Sequence, residues 1–180
     1  MIGYKFGGAL GAIAYLLFFT AGVAVDSGPF RTQLLNASFN LPAFVAVVCT
    51  YTPINVGILA LLAGLMGGCS SLITHRRRFE AEASSPSSNA LPRLDQRSLV
   101  YRTESPVASM LRSIVVYFGF MAGILVTTVD PFTATSPDKY IRIAAAVSFF
   151  SFIVGYDPTK FSGLLNTPLG GRSRKTQGKK

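Results

Sequence analysis

A chain of 180 residues that is 49% hydrophobic and 14% charged, with a formal charge of +9, is not composed like a water-soluble domain. Its charges are clustered and leave four long windows almost without them, so the Lys and Arg excess reads as the cytoplasmic bias of a membrane protein, and no nucleic-acid role is expected. Cys49 and Cys69 cannot build a disulfide framework, and about twenty residues between them place them near opposite ends of a crossing, as unpaired packing residues.

Residues 7–25, GGALGAIAYLLFFTAGVAV, form the first apolar window, preceded only by Lys5. A cleavable signal peptide is the rival, with Gly22-Val23-Ala24 as its small-residue site. The weakly basic start and the further spans that follow favour a retained anchor. Gly3, Gly7 and Gly11 recur every four residues with Gly8 alongside, which on a helix makes one face where another backbone can approach. The partner for that face is either inside the chain or another subunit. Residues 26–40 hold the turn signal Ser27-Gly28-Pro29 and only Asp26 and Arg31 as charges, which suits an external loop. Asn36-Ala37-Ser38 has the form of a glycosylation acceptor, a pattern short enough to arise by chance.

The apolar segment 41–51 is too short to span and is predicted to be interfacial or re-entrant. Thr52-Pro53 reads as a fresh N-cap with proline at the first helical position. The second span, about 53–74, carries Gly64 and Gly68 as a close-packing pair. His75, Arg76, Arg77 and Arg78 follow it, and the three arginines place that end on the cytoplasmic side.

Residues 75–105 are expected to be a basic, flexible cytoplasmic loop, with a Ser/Pro linker at 84–88 and six arginines that suit a partner or anionic lipid headgroups. Ser105-Pro106 opens the third span, about 106–129, in which Arg112 is positioned to snorkel to the headgroups and Gly119 and Gly123 form another packing pair. After an external turn, Ser136-Pro137-Asp138 supplies the cap, proline and first-turn acid of the fourth span, about 137–155. Arg142 is expected to point outward, and Tyr140 and Tyr156 to sit at the interfaces. Asp157-Pro158 starts a short amphipathic turn with Phe161, Leu164 and Leu165 on one side, within a region 156–180 whose basic tail is expected to be disordered.

With the second span leaving toward the cytoplasm, both termini are cytoplasmic. Fourteen of the seventeen Lys and Arg then lie on that side, against Arg31, Lys139 and Arg142 outside. The fold class is therefore an all-α integral membrane protein of four transmembrane helices as two hairpins, 1–74 and 106–155. A bacterial cytoplasmic (inner) membrane is the expected location.

No acid or base falls near mid-membrane, which lowers an ion-coupled carrier. A single histidine and the lack of metal-ligand spacing, phosphate loop or nucleophile motif predict no catalysis, no cofactor and no metal. Thr50, Tyr51, Asn55, Tyr117, Ser148 and Ser151 are polar residues that either line a path or hydrogen-bond between helices, the second being the commoner use. The expected function is that of a non-catalytic accessory, assembly or regulatory subunit touching the lipid bilayer and other membrane proteins. A small oligomeric pore is the alternative.

Overall fold

The computed structural model describes residues 2–25, 41–83, 105–127, 132, 136–159 and 161. Five helices are defined among them: α1 (Ile2–Ala24), α2 (Leu41–Cys49), α3 (Pro53–Ala83), α4 (Pro106–Thr127) and α5 (Pro137–Tyr156). No strand occurs among the described residues. Four segments are long and apolar enough to cross a membrane: Gly3–Ala24, Pro53–His75, Pro106–Ile124 and Pro137–Tyr156. Their 19 to 23 residues correspond to about 29–35 Å of helix, the thickness of a hydrocarbon core.

Each proline at a helix start has a reason to be there, because the first N–H of a helix has no intrahelical acceptor. Before Pro53, the Thr52 hydroxyl accepts from the Asn55 N–H at 3.2 Å, the bond expected of an N-cap. Before Pro106, the Ser105 hydroxyl accepts from the Ala108 N–H at 3.2 Å in the same way. Before Pro137, Ser136 has the extended backbone of a cap, but its side chain makes no capping bond.

One difference from the sequence reading stands out. Helix α3 continues to Ala83, through residues expected to belong to a flexible loop. The stretch Arg76–Ala83 consists largely of good helix formers, with Arg76 and Arg78 four residues before Glu80 and Glu82, so nothing in it stops a helix already started. The apolar segment before α3 is a separate helix, α2, which ends at Cys49, in keeping with the fresh cap read at Thr52-Pro53. The rest of the basic loop, the glycosylation pattern, Leu164, Leu165 and the tail lie outside the described residues.

Helix α3 is the hub and packs against all four other helices, most extensively against α5. Its Val56, Leu59, Ala60 and Ala63 are buried, and the first three meet Tyr140, Ala144 and Val147 of α5. Helices α1 and α4 flank this central pair and have little contact with each other. Contacts along the helices fix relative direction. Gly8 and Gly11 of α1 lie by Cys69 and Leu65 of α3, while Phe18 reaches Asn55, so the two helices are antiparallel. Ser109 of α4 lies by Gly68 and Tyr117 reaches Pro53, again antiparallel. Tyr140 and Gly155 of α5 meet Asn55 and Gly64 in the same order, so α5 runs parallel to α3.

Candidate functional site

Two clusters concentrate the side chains and close contacts that distinguish this bundle from a plain apolar one. The first is a crossing of α3, α4 and α5 made of small residues. A Cβ built on Gly64 would collide with the Ser113 hydroxyl and lie 3.0 Å from the Ser109 carbonyl oxygen. One built on Gly68 would collide with Ser109 Oγ. On the other side of α3, Gly67 abuts the Phe152 carbonyl, and Gly155 lies against the backbone of Gly64. Three backbones thus meet where any side chain would force them apart, the close approach that small residues permit between membrane helices.

Hydrogen bonds cross the same place. Ser113 Oγ donates to Ser109 O at 2.9 Å and lies 3.3 Å from Ser151 O, and Ser109 Oγ lies 3.3 Å from Gly155 O. Arg112 Nη2 donates to Ser109 Oγ at 3.2 Å. The half-buried guanidinium therefore leans on the serine cluster. The buried Ser148 and Ser151 hydroxyls make no hydrogen bond of their own.

The second cluster lies at the other end of α3. Asn55 and Tyr140 are both fully buried, and the Tyr140 hydroxyl donates to Asn55 Oδ1 at 2.8 Å. Asn55 Nδ2 donates to the Val48 carbonyl at 2.8 Å and approaches the Phe18 carbonyl at 3.5 Å. The Thr52 hydroxyl donates to the Val47 carbonyl at 2.7 Å. A helix that ends at Cys49 leaves its last carbonyls without intrahelical donors, and here two side chains from the start of α3 supply them. Gly22 of α1 sits against the Tyr140 phenol, where a Cβ would overlap the ring. Rings surround the node, with Tyr51 edge-on to Tyr140 at 5.0 Å, Phe19 at 5.7 Å from Tyr140, and Phe132 at 5.3 Å from Tyr51. Tyr140 is thus a core residue and not the interfacial aromatic expected from its place near a helix end.

The predicted packing glycines divide. Gly11, Gly64 and Gly68 lie in close helix contacts within the chain, as does Gly8 against Cys69. A Cβ on Gly3, Gly7, Gly119 or Gly123 meets nothing within 4 Å. Arg76, Arg77 and Arg78 are on helical backbone, with only that backbone described. Both cysteines are free, Cys69 buried and Cys49 half-buried. Of the polar residues marked in the sequence, Thr50, Tyr51, Asn55, Ser148 and Ser151 are buried inside the bundle, and Tyr117 donates to the Pro53 carbonyl at 2.7 Å.

Sequence reasoning missed Gly22, Gly67, Gly155, Ser109, Ser113 and Tyr140. Ser109 and Ser113 carried a readable signal, since they repeat the four-residue small spacing of Gly64 and Gly68. Gly22 lies far from the other glycines of α1 and Gly155 is the only glycine of α5, so only the neighbour each touches explains them. Among the described residues no group of three His, Cys, Asp or Glu could hold a metal ion. Compared with protein families, curated proteins and solved structures, the chain matches none.

Proposed function

We propose that this protein is a non-catalytic, multi-pass subunit that joins a membrane complex through its outer helix faces, in an accessory, assembly or regulatory role. In this reading the spans form two hairpins in a bacterial cytoplasmic membrane, with both termini and the basic loop on the cytoplasmic side.

One observation carries it. The glycines of α3 are occupied by internal crossings, whereas no described residue lies within 4 Å of a Cβ built on Gly119 at the exposed side of α4, or on Gly3 and Gly7 near the start of α1. Glycine in mid-helix costs about 1 kcal/mol relative to alanine, so open glycines in a membrane helix are best explained by a backbone that comes to lie against them. The buried positions of Asn55, Ser148 and Ser151 support the bundle reading over a water path through a single chain.

The test is purification from the native host in mild detergent, with measurement of complex mass and identification of stoichiometric companions. A partner lost on Gly119→Leu or Gly7→Leu is the expected result. A pure homo-oligomer that gives conductance in liposomes would replace this reading with that of a small pore.

A further inference from the structure

The short helix α2 offers no polar side chain in its nine residues, LPAFVAVVC. Its position relative to the bundle is fixed by Asn55, whose Nδ2 holds the Val48 carbonyl at 2.8 Å and lies 3.5 Å from the Phe18 carbonyl. The C-terminal end of α2 is therefore level with Phe18. That residue stands six positions before the end of α1 at Ala24, which is about 9 Å along the helix axis. Counted along α3 the same level is shallower, since Asn55 stands two residues, about 3 Å, past the start of the span at Pro53, so the end of α2 lies below the rim of the apolar slab by either count.

The capping of α2 agrees with that depth. In hydrocarbon a carbonyl must find its donor within the protein. Val47 O is taken by Thr52, Val48 O by Asn55, and Ala46 O by the Thr50 N–H at 2.9 Å. Thr50, Thr52 and Asn55 are themselves buried. While its last turn is sealed in this way, the remainder of α2 shows apolar surface: Leu41 is 64% exposed, Phe44 45% and Val45 52%. Left in water, each such side chain forfeits a good part of the stabilisation that burial provides. Close to the level of the α2 C-terminal end, α1 presents Leu16 and Leu17, 60% and 65% exposed, so apolar surface of the spans adjoins that of α2.

We infer that α2 is a re-entrant helix immersed in the leaflet on the α1 C-terminal side, with Leu41, Phe44 and Val45 against lipid acyl chains. The inference rests on the spans lying in a bilayer and not on the partner proposed above.

The chain contains no tryptophan, so one introduced indole reports one position. Phe44→Trp, Val45→Trp and, as the reference in α1, Leu16→Trp are each reconstituted as full-length protein in phosphatidylcholine vesicles with brominated acyl chains. The expected result is bromolipid quenching of the Phe44 and Val45 variants on the order of that of the Leu16 variant, with little quenching by aqueous iodide. Iodide quenching at 44 and 45 with bromolipid quenching at 16 would overturn the inference while leaving the spans intact. Protection from both quenchers at 44 and 45 would overturn it too, by showing protein over that face. Aqueous behaviour at all three positions would remove the membrane reading itself. Two adjacent reporters guard against one substitution failing to fold.

Discussion

Three glycine pairs, one each in α3, α1 and α4, share the same spacing and differ in their surroundings. Gly64 and Gly68 are four residues apart, as are Gly3 and Gly7, and Gly119 and Gly123. The first pair is pressed against Ser109 and Ser113, whereas among the described residues a Cβ on Gly3, Gly7 or Gly119 meets nothing within 4 Å. Spacing therefore identifies a surface that can accept a close neighbour, and only the fold decides whether this chain supplies one. The partner of Gly64 and Gly68 has its own four-residue repeat of small residues, which is what lets two helices approach on both sides of the contact.

Substitutions that divide the two groups test this contrast most directly. Gly155→Ala should have the largest effect, because its Cβ points at Gly64 backbone that no side-chain rotation can move. A destabilisation of about 1–3 kcal/mol is expected, read by denaturant titration in mild detergent. Wild-type stability for that variant would mean that the crossing is looser than described.

At the polar end, Thr52→Val removes the cap of α3 and the donor to Val47 together. A loss of about 1 kcal/mol is expected, with faster amide exchange over residues 46–56 than in the rest of α3. Tyr140→Phe removes the one hydroxyl that donates to Asn55 Oδ1. Interhelical hydrogen bonds in membranes average about 0.6 kcal/mol, so a loss near that value is expected, and a double-mutant cycle with Asn55→Ala should assign it to this pair. Gly119→Ala should have the smallest effect on the isolated chain, neutral or stabilising by up to about 1 kcal/mol. A large loss there would show that α4 packs on its outer side within the single chain.

Much of this architecture was legible because the governing signals are local. Length and apolarity mark each span, and the Thr52-Pro53 and Ser105-Pro106 pairs mark helix starts whose capping bonds are present. The arginines that finish the apolar run do not finish α3, because the end of an apolar span and the end of a helix are separate events. Tyr140 was misread for a related reason. Its position near a helix end and its amphipathic ring suit an interface, but Asn55 on a distant segment and the space left at Gly22 draw it inside. Neither partner is near it in sequence, so no local pattern could announce the node. The serines of α4 were passed over because glycine alone was treated as the mark of close approach.

The bond between Tyr140 and Asn55 joins residues 85 positions apart, and this has a consequence for the order of synthesis. Asn55 is made while α5 does not yet exist. At about 5–20 residues per second, translation needs roughly 4–17 s to reach Tyr140 after passing Asn55. Throughout that interval α1, α2 and α3 can already be in the bilayer with an amide oxygen still lacking its phenolic donor. The amino-terminal half is thus inserted before it is finished, and a nascent chain halted in the basic loop should be a better substrate for membrane quality control than one released after α5.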